Sequence, residues 1–265
     1  MRYFIDFAYR GTNYSGSQSQ PNGTTVQSVL EQAFATILRV PVPLTFAGRT
    51  DAGVHARQMI AHFDYGRSAD MQTGATLSDD LVRRLNSLLP WDIAVHRIYP
   101  VADDAHARFD ATARTYHYYI TPRKDPFAYN LAALVTFPLD FSAMNMAADM
   151  LLGTHDFASF CKVHTDVKTT LCTITHAQWT ALHSGDFSCG AVFTITANRF
   201  LRNMVRAVVG TLFEVGRHRI TIPQFQEIID AHNRCRAGQS APAEGLYLMH
   251  IEYPELGIGL TEKMQ

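Results

Sequence analysis

The spacing between apolar residues changes several times along the chain. Large side chains at every second position over residues 3–7 indicate a strand. Over residues 26–38 apolar residues recur at steps of three and one, which indicates one face of a helix, with Thr24 and Gln27 as its capping box. With the segments that follow, the first ~100 residues are predicted as strand, helix, strand, strand, helix, strand, an α+β pattern resembling a split βαβ unit.

The second part of the chain has the same mixture without repeating its sequence. β-branched and aromatic residues predict a strand over Ala113–Thr121, and the apolar pattern predicts a helix over residues 200–215. A Ser-Gly pair at residues 184–185 predicts a hairpin turn between two further strands. We therefore expect two α+β domains, residues 1–104 and residues 105–265.

Composition limits the classes of protein to which the chain can belong. Of its 265 residues, 47% are apolar and 18% are charged, which favours a folded core over disorder. Lysine and arginine number 23 against 24 acidic residues, giving a net charge of −1. Because the whole molecule is nearly neutral, any attraction to nucleic acid must come from local basic patches.

The sequence also indicates a location. The N-terminus lacks the apolar core and small residues of a signal peptide, and no run of about 18 apolar residues occurs, so we expect no membrane span. The four cysteines contain no Cys-x-x-Cys pair, which favours free thiols in a reducing cytoplasm over a disulfide or zinc framework. They are Cys161, Cys172, Cys189 and Cys235.

The motifs typical of cofactor-dependent enzymes are missing. Gly11 and Gly16 have the spacing of a phosphate-binding loop, but Ser17 and Gln18 follow where Lys and Ser or Thr are required. The sequence contains neither Gly-x-Gly-x-x-Gly nor Gly-x-Ser-x-Gly. We therefore expect neither a nucleotide cofactor nor a metal ion, and the histidines do not have the spacing of a common zinc motif.

Three segments remain as candidates for chemistry, and the first is the loop at residues 48–55, Gly-Arg-Thr-Asp-Ala-Gly-Val-His. Two glycines permit a tight turn and the close approach of a ligand. Asp51 beside Arg49 is a candidate nucleophile or base. The alternative is a structural turn in which the Asp51 carboxylate caps backbone N–H groups.

The second and third segments are basic. Residues 105–124 interleave Arg108 and Arg114 with aromatic side chains, which suits RNA phosphates and unpaired bases, although a plain amphipathic strand has the same pattern. In such a strand Tyr116 and Tyr118 share one face, and His117 and Tyr119 share the other. Residues 199–219 contain five arginines and one glutamate.

The predicted helix over residues 200–215 places three of these arginines beside its apolar face. Helical spacing puts Arg199, Arg202 and Arg206 in one stripe. Such a stripe either meets a carboxylate or stays solvated at the edge of the core.

Together the three segments resemble the tRNA pseudouridine synthase A family. The resemblance runs in order through residues 9–16, 25–27, 48–55, 106–109, 111–118, 198–210 and 243–248. It implies the pseudouridine synthase fold, an α+β fold whose two topologically similar halves form a central, mostly antiparallel sheet flanked by helices. It also implies an isomerase that needs no cofactor, acts as a homodimer, and converts uridine to pseudouridine at positions 38, 39 and 40 of the tRNA anticodon stem-loop.

The resemblance assigns roles to residues of this chain. Asp51 is the nucleophile, which attacks either C6 of uracil or C1′ of the ribose, and Arg206 is its ion-pair partner. Arg49 assists base flipping, Tyr116 stacks on the uracil, and Leu246 is an apolar wall of the pocket. The RNA-binding candidates are Arg108, Arg114, Arg199 and Arg202.

One position departs from the family. Ser17 stands where the family usually has tryptophan after the glycine, so a large packing group is replaced by a small hydroxyl. Two other functions remain as alternatives. One is a non-catalytic tRNA-binding or folding protein on the same scaffold; the other is a metal-dependent hydrolase that uses Asp51, His55 and His62.

Overall fold

The computed structural model describes residues 1–66, 74–162, 168–183 and 190–254, with the backbone alone for 74–78. The predicted turn at residues 184–185, and Cys189, lie outside these residues. The chain forms two compact units. The first unit contains Met1–Ala52, Ala56–Thr112 and the C-terminal residues from Ile251, and the second contains Gly53–His55 and Ala113–His250.

The first unit is built on three long antiparallel strands. Its elements are β1 (Arg2–Tyr9), α1 (Val26–Leu38), β2 (Thr45–Phe46), β3 (His55–Asp64), α2 (Gly74–Leu88) and β4 (Ile93–Val101). Strand β1 is central and pairs antiparallel with both β3 and β4, while the short β2 pairs antiparallel with β3. Ile5 lies opposite Ala61 on one side and Ile98 on the other, and all three are buried.

Helix α1 covers the residues that the apolar pattern predicts. The Phe34 ring of this helix packs against the Phe63 ring of β3, with the centroids 5.0 Å apart. The apolar face of the helix is therefore buried within this unit. The capping box lies one residue later than predicted. The Thr25 hydroxyl accepts a hydrogen bond from the Ser28 N–H, and the Ser28 side chain accepts one from the Thr25 N–H. The predicted pair of Thr24 and Gln27 is therefore wrong.

The second unit contains the remaining elements. They are β5 (Ala113–Thr121), β6 (Ala133–Leu134), α3 (Phe141–Asp149), β7 (Gly153–Asp156), β8 (Leu171–Ala181), β9 (Ala191–Ala197), α4 (Met204–Gly216), α5 (Ile222–Asp230) and β10 (Leu246–Glu252). Strands β5, β9, β8 and β7 are antiparallel neighbours in that order. Strand β6 pairs parallel with β5, and β10 lies next to β5. The last two residues of β10 belong to the first unit.

The second unit buries its core beneath helices α3, α4 and α5. Eleven of the thirteen residues of α4 are buried, so this helix is apolar almost all round. Phe213 of α4 contacts Trp179 of β8, with their ring centroids 5.9 Å apart. The predicted α+β class, with a mostly antiparallel sheet flanked by helices, is confirmed. None of the helices described is long and apolar enough to cross a membrane.

Helix α4 begins later than the predicted residue 200. Asn203, just before its first residue Met204, has a φ of 65°, in the left-handed region that interrupts a right-handed helix. Arg199 and Arg202 therefore precede the helix, and only Arg206 lies on it. The predicted stripe of three arginines along one helix is wrong, because apolar spacing does not reveal a single left-handed residue.

Candidate functional site

The 48–55 loop follows β2, and hydrogen bonds at Thr50 hold its backbone in place. Thr50 is buried, and its hydroxyl lies 2.8 Å from the hydroxyl of Tyr9, at the end of β1. The Thr50 N–H donates to the Ser17 hydroxyl over 2.8 Å, and the Thr50 carbonyl accepts from the Ser17 N–H over 3.2 Å. All three polar groups of Thr50 are thus bonded to residues of the first unit.

Asp51 and Arg49 flank this anchored residue. Asp51 is partly buried and Arg49 is exposed. Gly53, two residues after Asp51, has a φ of 81°, a conformation that glycine adopts without strain. The loop therefore holds a carboxylate directly beside an anchored residue.

Gly16 makes the close approach to Thr50 possible. Its φ is 104°, and a Cβ at this position would lie 2.9 Å from the Thr50 carbonyl oxygen. Any side chain here would therefore push against the backbone that leads to Asp51. This contact gives a physical reason for the glycine at position 16, which lies in one of the segments that resemble the family.

In the second unit, Tyr116 lies on β5. It is partly buried and packs edge to face against Phe200, with ring centroids 5.1 Å apart. Tyr118, on the same face, is fully buried and donates its hydroxyl to the Pro242 carbonyl over 2.8 Å. Burial raises the pKa of Tyr118 above its ordinary value, so this phenol stays protonated. The predicted sharing of faces is confirmed, since His117 and Tyr119 contact each other instead.

Arg206, on the first turn of α4, is partly buried and held at two points. Its Nε donates to the Ala241 carbonyl over 2.7 Å, and its own carbonyl accepts from the Ala241 N–H over 2.9 Å. The Nε bond restricts the orientation of the guanidinium group. Leu246 is buried at the start of β10, in the apolar core of the second unit.

Residues 238–241, here called the strap, pack closely against α4 and include Ala241, the partner of Arg206. The Gly238 N–H donates to the Thr211 hydroxyl over 2.9 Å. A Cβ at Gly210 would overlap the carbonyl oxygen of Gln239, so only glycine lets the strap approach this closely. The strap was not predicted from the sequence. Its one signal was a glycine in the interior of a strongly predicted helix.

The arginines predicted to bind RNA are distributed over both units. Arg108, in the first, is exposed, and its guanidinium carbon lies 5.9 Å from the ring centroid of Phe109. In the second, Arg114 donates to the Asn198 carbonyl over 2.8 Å, and Arg202 is exposed. Arg199 is partly buried near Cys172; burial raises the pKa of this thiol to about 11, and the positive charge of Arg199 opposes the rise.

The two histidines of the metal alternative already have other contacts. His55 Nε2 lies 3.2 Å from the Glu244 carbonyl oxygen, and His62 Nδ1 accepts a hydrogen bond from the Ala107 N–H over 3.1 Å. Burial lowers the pKa of His62 to about 4. Within the described part of the chain, no three His, Cys, Asp or Glu side chains form a group that could hold a metal ion.

Comparison with known proteins gives a consistent result. A family model described as tRNA pseudouridine synthase matches residues 7–110 and 147–254. The chain is 54% identical over 254 residues to the tRNA pseudouridine synthase A of Parabacteroides distasonis, with 96% of each chain covered. It is 53% identical over 254 residues to the protein of that name from Bacteroides thetaiotaomicron, covering 96% of this chain and 91% of the relative.

A more distant relative matches over the same extent. The tRNA pseudouridine synthase A of Colwellia psychrerythraea is 42% identical over 257 residues, covering 96% of this chain and 95% of the relative. The two ranges matched by the family model include Arg49, Asp51, Arg206 and Leu246, whereas Tyr116 lies between them.

Proposed function

The chain belongs to the tRNA pseudouridine synthase family, and on this premise we propose that it isomerises uridine to pseudouridine in tRNA. We place the reaction at positions 38, 39 and 40 of the anticodon stem-loop. One observation carries the proposal. The 48–55 loop lies within a range that the family model matches, and its carboxylate follows a residue whose backbone and side chain are all hydrogen-bonded.

Asp51 is the nucleophile of the proposed reaction. It attacks either C6 of the uracil or C1′ of the ribose, and the bond between N1 and C1′ breaks. The uracil then rotates, C5 forms the new bond to C1′, and the bond from Asp51 to C6 or C1′ breaks, which restores the free carboxylate. N1 gains a proton and C5 loses one, so the composition of the nucleotide is unchanged and no redox cofactor is needed.

Arg206 is the proposed ion-pair partner of the nucleophile. Asp51 must be ionised to attack, and a neighbouring positive charge favours the ionised form of a carboxyl group. The hydrogen bond from Arg206 Nε to Ala241 supports this role, because it holds the guanidinium plane before substrate arrives. Tyr116 stacks on the uracil, and Leu246 provides an apolar wall.

The substrate base must leave the RNA stack before it can react. Extruding a base costs a few kcal/mol, which contacts in the pocket offset. Arg49 is exposed beside Asp51, a placement that supports a role in occupying the space that the base leaves. Phosphate contacts come from Arg108, Arg114, Arg199 and Arg202, so we expect binding to weaken with salt although the chain is nearly neutral.

We also propose the assembly, location and cofactor requirement that the resemblance to the family implies. The enzyme acts as a homodimer in the cytoplasm and has no cofactor. In the two domains expected from the sequence, the proposed nucleophile Asp51 lies in residues 1–104 and its proposed partner Arg206 lies in residues 105–265.

Tritium release from tRNA labelled at C5 of uridine tests the function directly. C5 loses its hydrogen only when it becomes the new attachment point. With EDTA present, we expect release by the wild type and by Asp149→Asn, a matched change at an exposed aspartate at the end of α3, but none by Asp51→Asn. Asp51→Asn should still bind tRNA, because it keeps the proposed phosphate contacts.

Other outcomes would contradict the proposal in distinguishable ways. Release by Asp51→Asn at the wild-type rate would remove the nucleophile assignment. Binding of tRNA without release by any variant would favour the non-catalytic tRNA-binding protein. RNA cleavage that stops when EDTA is added would favour the metal-dependent hydrolase.

A further inference from the structure

Ser17 is a fully buried residue between β1 and α1, and both its hydrogen bonds to the 48–55 loop are made to Thr50. Its side chain is 0% exposed. Its hydroxyl accepts from the Thr50 N–H over 2.8 Å, and its N–H donates to the Thr50 carbonyl over 3.2 Å. Burying a polar side chain costs free energy unless the side chain is hydrogen-bonded. The bond to Thr50 therefore explains how a serine hydroxyl can be buried here.

The two bonds fix the two peptide groups that flank Thr50. The Thr50 N–H belongs to the peptide that joins it to Arg49, and the Thr50 carbonyl belongs to the peptide that joins it to Asp51. Because each peptide group is planar, holding one of its polar atoms restricts the whole plane. Ser17 therefore restricts the backbone directions from which Arg49 and Asp51 project.

Ser17 is itself held by the start of α1. Its carbonyl accepts from the Gln27 N–H over 3.0 Å, and the Gly16 carbonyl accepts from the Val26 N–H over 3.3 Å. Val26 and Gln27 are the first residues of the helix. A continuous series of hydrogen bonds thus connects a regular helix, through residues 16 and 17, to the residue before Asp51.

We propose that Ser17 is a positioning residue for Asp51, a role that rests on the proposed function of Asp51 as nucleophile. The hydroxyl is what this position contributes. A serine hydroxyl accepts a hydrogen bond, whereas the indole N–H of the tryptophan usual in the family only donates one. In this chain, the Ser17 hydroxyl is the acceptor for the Thr50 N–H.

The test compares three serine variants in the full-length protein. Ser17→Ala removes the acceptor, and Ser17→Cys keeps the shape of the side chain with a somewhat larger atom that is only a weak acceptor. Ser159→Ala is the matched control, because Ser159 is also 0% exposed and its hydroxyl accepts a backbone N–H, that of Asn233, over 2.9 Å. Each variant is measured for tritium release in single turnover with saturating protein, for tRNA affinity, and for hydrogen exchange of the Thr50 amide.

We expect Ser17→Ala to lower the single-turnover rate constant at least ten-fold, which corresponds to about 1.4 kcal/mol in the barrier. Its affinity for tRNA should stay within about two-fold of the wild type, since a lost positioning contact acts on the chemical step. The Thr50 amide should exchange faster. Ser17→Cys should lie between Ser17→Ala and the wild type. Ser159→Ala should lose stability but keep the wild-type rate constant and Thr50 exchange.

Wild-type turnover by Ser17→Ala, or equal slowing by Ser17→Ala and Ser159→Ala, would overturn the proposal. If Ser17→Ala does not fold, wild-type turnover by Ser17→Cys would overturn it as well. Asp51→Asn, measured in the same assay, distinguishes the positioning role of Ser17 from the nucleophile assignment on which it rests. Turnover by Asp51→Asn would refute the nucleophile assignment, whereas an inactive Asp51→Asn beside a fully active Ser17→Ala would refute the positioning role alone.

Discussion

For the substitution Gly210→Ala, helix propensity predicts a more stable protein, whereas packing predicts a less stable one. Alanine in a helix interior is about 1 kcal/mol more favourable than glycine. At Gly210, however, the added methyl would overlap the Gln239 carbonyl oxygen and lie 2.9 Å from its carbon. Both are backbone atoms of the strap, so no side-chain rotation can relieve the overlap.

The magnitude follows from the bonds that hold the strap. Moving it away from α4 would break three hydrogen bonds, two between Arg206 and Ala241 and one from Gly238 to Thr211. At about 1 kcal/mol each, their loss costs about 3 kcal/mol. After the gain of about 1 kcal/mol in helix propensity, Gly210→Ala should destabilise the protein by about 2 kcal/mol.

Urea unfolding at 25 °C measures this loss, with Gly216→Ala as the matched control. Gly216 ends the same helix, and its added methyl would meet the Met144 sulfur at 2.5 Å and a Leu139 methyl at 3.0 Å. The Met144 Cγ would also lie at 2.9 Å, but all of these are side-chain atoms that a change of rotamer can move, so we expect a smaller loss than at Gly210, about 1 kcal/mol. A Gly210→Ala protein as stable as the wild type would refute the reasoning that the strap is fixed.

Three further predictions concern single contacts. Because the pKa of His62 is lowered to about 4, the unfolded chain takes up a proton first as the pH falls below about 6.5. Stability should therefore fall by about 2 kcal/mol between pH 7 and pH 5, and His62→Asn should lessen this loss in urea titrations at the two pH values. Tyr118→Phe leaves the Pro242 carbonyl without its donor and should cost about 1–3 kcal/mol by the same method. Arg202→Gln should weaken tRNA binding and reduce the slope of log K against log salt by about 1, whereas an unchanged slope would exclude a phosphate contact.

Secondary structure was predictable where one spacing of apolar residues continued without interruption. Strand β5 has the predicted bounds, Ala113–Thr121, and α1 covers the predicted residues. The start of α4 was not predictable, because the apolar pattern continues through Asn203, whose left-handed conformation begins the helix after it. As a result, Arg199 and Arg202, which were expected on the helix, lie in the segment before it.

The sequence named the residues of the candidate site, whose roles stay predictions, but it did not indicate the contacts that hold those residues. The sequence of the 48–55 loop identified Asp51 as a candidate, but composition alone left a structural turn as an alternative. Nothing in the sequence predicted that Ser17 would bind both backbone groups of Thr50, 33 residues away. Such a contact depends on how two loops meet, and no local spacing or propensity contains that information.

A single principle connects the supports of the proposed nucleophile and of its proposed partner. In the first unit, Gly16 lets one loop approach the Thr50 carbonyl next to Asp51. In the second, Gly210 lets the strap approach α4, one turn after Arg206. Each charged group is thus positioned by contact between two backbones that the absence of a Cβ allows. Both contacts are close-packed and hydrogen-bonded, so a methyl at either glycine should displace a charged group that the change itself does not touch.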